Sequence, residues 1–140
     1  MKKQVNPAAI IPTLRYENVE KSIEWLCRVL GFEQHLIVKD DNDSIVHVQL
    51  TFGSAMVMMG PTSDDNYGKL IQPPKAIEGF NTQAPYIVVE RIDEHYKKAV
   101  EEGAEIVIEI KDEDYGGRGY TCRDTEGHLW NFGSYNPWTM

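Results

Sequence analysis

The side chains able to carry covalent, acid–base or metal chemistry are few and scattered. Histidine occurs four times, at His35, His47, His95 and His128, and cysteine twice, at Cys27 and Cys122. A metal centre needs three or four donor atoms converging on one point. His35 and His47 fall on neighbouring strand patterns and can meet, but no Asp, Glu or Cys is spaced to join them. His95 falls on the outer face of a helical pattern and His128 at a turn, so both are expected in solvent. The cysteines make no C-x-x-C pair and are expected as reduced, buried thiols, which points to the cytoplasm. No Ser or Cys stands beside a His and an acid in a nucleophilic setting. Gly116-Gly117-Arg118-Gly119 lacks the strand-to-helix context of a phosphate-binding loop. General acid–base work by His47 or Tyr86 stays open.

The stretch that must position most other polar groups is RGYTCRDTEGHLWNFGSY, residues 118–135. It reads as a β-hairpin. Asp124 opens a type I turn and Gly127 takes the φ > 0 position that closes it. With Asp124 opposite His128, Thr121 faces Asn131 and Cys122 faces Trp130. Period two then puts Tyr120, Cys122, Trp130 and Phe132 on one apolar face. Thr121, Arg123, Leu129, Asn131 and Gly133 share the other, a mixed face suited to a ligand.

Upstream, Ala8–Tyr16 alternates as a strand, with Pro12 marking an edge or bulge. Asn18 is expected to cap a helix carrying Val19, Ile23, Leu26, Cys27 and Leu30 at helical spacing, and Gly31 to close it. Strands over 32–40, 44–52 and 55–60 follow. A polar, turn-rich stretch over 61–83 reads as a connection and a possible lid. The order then repeats: a strand over 84–91, a helix capped by Asp93 and closed by Gly103, a strand over 104–110, and the hairpin. Gly31 and Gly103 mark equivalent points about seventy residues apart. A duplicated βαβββ unit is the simplest account. Each unit covers one sheet face with its helix and leaves the other open.

The chain has 140 residues, 41% of them apolar, enough for one domain with a core. A formal net charge of -8 repels nucleic acid and anionic membrane. The N-terminal run MKKQVNPAAIIPTLRY has no long apolar stretch, so no leader and no membrane span are expected.

The doubled order, the helix end VLGFE, the segment VERIDEHYKKAVEEGAEI and the ending RDTEGHLWNFG together resemble the vicinal oxygen chelate superfamily of glyoxalases, bleomycin-resistance proteins and ring-cleaving dioxygenases. The resemblance covers nearly the whole chain and is nearest to the small glyoxalase/bleomycin-resistance-like members. It implies a divalent metal held by His and Glu from the first and last strands of each unit. Carried over by register, those positions are Ile11, Met58, Ala84 and Asn131. None is a His or a carboxylate, so the expectation is no metal and no cofactor.

The resemblance also implies a cleft on the open faces. Alternation sends Ile11, Thr13 and Arg15 into it from the first strand, Met56 and Met58 from the fourth, and Ala84, Tyr86 and Val88 from the fifth. Thr121, Arg123, Leu129 and Asn131 come from the hairpin, and His47 and Gln49 from the third strand. An apolar lining with scattered polar groups suits a small molecule, and methionine suits one that must adapt. The expected architecture is therefore α+β: one domain over 1–140 with tandem βαβββ modules, about 8–60 and 84–135, forming a curved mixed sheet around a cleft with helices on the convex face. The expected function is metal-free binding of an aromatic antibiotic or metabolite through Arg15, His47, Gln49, Met56, Met58, Tyr86, Thr121, Arg123 and Asn131. The alternative is a metal-dependent lyase, isomerase or dioxygenase of the same fold. Partners are expected to be the small molecule and a second copy of the chain, with neither nucleic acid nor membrane.

Overall fold

The computed structural model describes residues 8–139. Residues 1–7, part of the stretch in which no leader is expected, lie outside it. The element order is β1 (Thr13–Tyr16), α1 (Val19–Trp25), β2 (Glu33–Lys39), β3 (Ile45–Phe52), β4 (Ala55–Pro61), β5 (Tyr86–Val88), α2 (Ile92–Glu101), β6 (Glu105–Asp112), β7 (Arg118–Arg123) and β8 (Leu129–Gly133). The strands form two four-stranded sheets, ordered β1-β4-β3-β2 and β5-β8-β7-β6. In each, the first strand runs parallel to the last and the rest are antiparallel. This is the duplicated βαβββ unit. No helix among the described residues is long and apolar enough to cross a membrane.

Local sequence explains most boundaries. The Asn18 side chain accepts from the Lys21 amide at 3.0 Å and caps α1. The last turn of that helix, Leu26–Leu30, widens to π geometry before Gly31 leaves at φ 87°. The first strand is shorter than alternation predicts and starts at Thr13 rather than Ala8. Pro12 cannot donate to a ladder, and its carbonyl instead accepts from Met58 N at 2.9 Å. The fifth strand is likewise only Tyr86–Val88. Helix α2 begins at Ile92, with Arg91 rather than Asp93 at the cap position, so Asp93 lies in the first turn. The 61–83 connection carries two short 3₁₀ turns, Gly68–Leu70 and Pro74–Ile77. It is tied to the hairpin by Lys75 N donating to Glu126 O at 3.0 Å.

The covered faces of both sheets share one core. Tyr16, Leu26, Leu30, Val48 and Leu50 from the first unit join Tyr120, Cys122, Trp130 and Phe132 from the second. Phe32 meets Trp130 edge-on at 5.3 Å, and Phe52 lies 6.0 Å from Phe132. The hairpin pairs as the alternation predicts, with Thr121 opposite Asn131 and Cys122 opposite Trp130. Gly127 takes φ 89° at the turn.

The joint between the units is polar. Asp124 is buried. Its Oδ2 accepts from Tyr16 OH at 2.5 Å and Trp130 Nε1 at 3.0 Å. Its Oδ1 accepts from the amides of Glu126 and His128, each at 3.0 Å. Glu126 is 2% exposed and accepts the amides of Glu17 at 2.6 Å and Asn18 at 2.8 Å, at the start of α1. A carboxylate there satisfies donors that the helix leaves unpaired and sits favourably at its positive end. Burial and the neighbouring carboxylates hold the Tyr16 hydroxyl protonated well above its ordinary range.

Two histidines belong to this joint and correct the expectation that they are solvated. His128 is buried, and its Nε2 donates to Arg15 O at 2.9 Å. His95 is half-buried between the units. Its Nε2 donates to Leu30 O at 2.7 Å, which leaves Nδ1 to accept from Tyr120 OH, also at 2.7 Å. Cys27 also departs from expectation: it is half-buried rather than buried.

Removing the Asp124 carboxylate strands the Tyr16 hydroxyl and the Trp130 indole N–H in the core. Asp124→Ala is expected to cost about 3 kcal/mol in a urea melt. A loss below about 1 kcal/mol would contradict this account of the joint. Burial lowers the His95 pKa below 6.5, so at mildly acid pH the unfolded chain binds more protons there than the folded one. The stability tied to neutral His95 is complete above pH 6.5 and is lost as pH falls from there through the lowered folded-state value. His95→Gln should therefore flatten the drop in melting temperature between neutral pH and about pH 5, and an unchanged slope would count against it.

Candidate ligand-binding site

On the open face of the first sheet, β1, β4 and β3 lie side by side. Register places Thr13 opposite Met58, and Met58 opposite Gln49. Because successive side chains alternate, Val48, Leu50, Val57 and Met59 fill the core while Arg15, His47, Gln49, Met56 and Met58 point the other way. A cavity of about 370 Å³ lies here, lined by Thr13, Arg15, Val46, His47, Met58 and Gly60. Tyr67 from the 61–83 connection closes one side.

Arg15 is the charged group of this cavity. Its Nη1 donates to Pro61 O at 3.2 Å, and its guanidinium carbon lies 5.0 Å from the centre of the Tyr67 ring. Gly60 makes room for it: a Cβ there would sit 2.7 Å from Arg15 Nη1. Nearby, Gln49 Nε2 and His47 Nε2 are 3.1 Å apart, so His47 accepts the amide proton at Nε2 and carries its own on Nδ1.

Gln49 and Met56 share the open face of the first sheet but do not line this cavity, and Tyr86, Thr121, Arg123 and Asn131 sit on the open face of the second sheet, also outside it. Thr121 Oγ1 donates to Asn131 Oδ1 at 2.7 Å, and Asn131 Nδ2 donates to Pro85 O at 3.2 Å. The Tyr86 hydroxyl donates to Tyr135 O at 2.7 Å. Burial raises its pKa, so the phenolate that a general base needs is scarcer at neutral pH. Arg123 is occupied by Glu105 at 3.3 Å and by the carbonyl of Gly79 at 3.1 Å. It pins the 61–83 connection to the hairpin.

The four positions where the resemblance implies metal ligands can be judged by their chemistry. Ile11 and Ala84 offer no donor. Met58 offers a thioether, too soft for a hard cation. The Asn131 oxygen, a neutral donor, already accepts from Thr121. These side chains do not fit a divalent ion. Among the described residues no three His, Cys, Asp or Glu side chains converge. Cys122 is no nucleophile either, since it is fully buried and its pKa is pushed up to about 12 by that burial.

Sequence reasoning missed Tyr67 and Gly60. Tyr67 lies in a connection without periodicity, and nothing in its local sequence marks the ring as reaching Arg15. Gly60 is signalled only by register, because it stands opposite Arg15 in the β1–β4 pairing.

Comparison with solved structures gives the same fold. TioX from Micromonospora sp. ML1 is 28% identical, with 93% of this chain and 100% of that chain covered at a TM-score of 0.75. A glyoxalase-related enzyme from Clostridium phytofermentans is 15% identical, with 94% and 98% covered at 0.68. The fosfomycin resistance protein FosX from Listeria monocytogenes, solved with Mn(II) and 1S,2S-dihydroxypropylphosphonic acid, is 14% identical, with 95% and 94% covered at 0.63. The sequence matches no curated protein. Residues 6–132 match the Glyoxalase/Bleomycin resistance protein/Dioxygenase superfamily, and the chain belongs to that superfamily.

Proposed function

We propose that this chain is a metal-free small-molecule-binding protein of the glyoxalase/bleomycin-resistance-like type, holding an aromatic antibiotic or metabolite. The observation that carries the reading is the donor set. Ile11, Met58, Ala84 and Asn131 stand where the resemblance, carried over by register, implies metal ligands, and together they supply one thioether and one occupied amide. What surrounds Met58 is a cavity of mixed apolar and polar lining, the make-up of an organic ligand's pocket.

The cavity is lined by first-unit and connection residues alone. Thr121, Asn131, Tyr86 and Val88 present a second open face with Tyr86 41% and Val88 37% exposed. We infer that the protein works as a homodimer in which the second sheet of one copy closes over the cavity of the other. Exposed Leu36 and Val38 on the edge strand β2 support such pairing. The net charge of -8 supports a function away from nucleic acid and membrane surfaces, and the two free thiols support a cytoplasmic one.

Elemental analysis of protein purified without a tag tests the first part. The reading predicts less than about a tenth of an equivalent of Ni, Zn, Fe or Mn, and a stoichiometric metal would restore the lyase, isomerase or dioxygenase alternative. Light scattering after gel filtration tests the second. Twice the chain mass is expected, and a monomer at micromolar concentration would contradict the shared cleft.

A further inference from the structure

We propose that the ligand of this cavity is an organic anion, a flat apolar body bearing a carboxylate, sulfonate or phosphate, and that Arg15 is the residue that receives the anionic group. The proposal deepens the binding function put forward above and rests on it.

The charge pattern of the chain carries the inference. The sequence has 22 acidic residues against 14 basic ones, so an arginine that lacks a carboxylate partner is out of keeping with its surroundings. Arg28, Arg91, Arg118 and Arg123 all pair with acids, at Glu24, Glu94, Asp112 and Glu105 respectively. Arg15 alone of the five has no carboxylate at ion-pair distance among the described residues. Asp65 feels the Arg15 charge without reaching ion-pair distance, and its Oδ1 accepts from Gly68 N at 2.7 Å and Ser63 Oγ at 2.9 Å.

Arg15 is also held ready. It is half-buried, so part of its hydration is already lost. One edge of the guanidinium is fixed by the Pro61 carbonyl, and its carbon lies over the Tyr67 ring. Gly60 leaves the space it occupies. Nε and Nη2 donate to no protein group among the described residues. A planar fork with free N–H groups matches the two oxygens of a carboxylate or its equivalents. Beside it, Met58 and Val46 offer apolar surface for the rest of the molecule. Held this way, the cation loses little further freedom on binding, which favours affinity.

Three probes of one shape separate the possibilities: 1-naphthoate, neutral 1-naphthamide and cationic 1-naphthylmethylamine. Titrations followed by ¹H–¹⁵N NMR locate each on the full-length protein. The proposal expects naphthoate to bind at least about tenfold more tightly than the amide, with shifts at Arg15, His47 and Met58. Arg15→Met should erase that preference, bringing naphthoate and amide affinities together, and Arg15→Lys should keep part of it. Gly60→Ala should weaken naphthoate by displacing the guanidinium with Arg15 itself intact. Melting temperatures within a few degrees of the parent verify that each variant folds. Equal binding of naphthoate and amide, a preference for the amine, or an anion preference that survives Arg15→Met would overturn the anion assignment and leave the binding function standing. No shift in the cavity with any probe would overturn both.

Discussion

Two carboxylates in one tight turn join the halves of this molecule. Asp124 and Glu126 are taken out of water, which is costly for any charged group, and the cost is offset because almost every lone pair finds a donor. Asp124 gathers Tyr16, Trp130 and two amides of its own turn. Glu126 gathers the amides at the start of α1. The turn thus binds the hairpin to the first unit at β1 and at the helix that follows it. Once it is seated, β8 must send Trp130 and Phe132 into the shared core, and the pleat then forces Asn131 onto the open face. Which face of the second sheet stays open follows from that single docking event.

The features legible in the sequence are those that depend on neighbours a few residues away. The hairpin register follows from Asp-x-x-Gly and period two. Asn18 announces the helix start, and Gly31 its end. The histidines show where such reasoning stops. Helical spacing puts His95 on the outer side of α2, but its ring lies 4.3 Å from Phe132 and bonds Tyr120 of its own sheet. Leu30 and Phe52 of the other unit meet the same ring, so a position expected outward is interior. His128 is drawn inward in the same way by Arg15 O and the Tyr16 ring, partners more than a hundred residues distant. Pairing across units has no signature in the local pattern.

The same distinction governs the site. Arg15, His47 and Met58 converge because a βαβββ unit folds with its fourth strand between its first and third, so family topology was enough to bring them together. Tyr67 joins them from a stretch with no period to read. The residues drawn from the second unit, Tyr86, Thr121, Arg123 and Asn131, share a face as alternation requires, but on the other sheet. Their polar groups are largely satisfied by the chain itself, whereas Arg15 is not. The asymmetry makes the first sheet the half of the site with binding potential left to use. The second supplies a surface already ordered, with Arg123 spent on holding the connection in place. The proposed function would have this pocket recognise its ligand by one directed charge, at Arg15, and the adaptable Met58 side chain.

The most direct test is a crystal structure of the protein as purified, at a resolution that distinguishes an organic molecule from an ion, with anomalous data collected above the transition-metal edges. The account predicts elongated density against Met58 and the Arg15 guanidinium, no anomalous peak, and β8 of a second copy closing the cavity. An anomalous peak held by protein atoms between Met58 and Asn131 would contradict it.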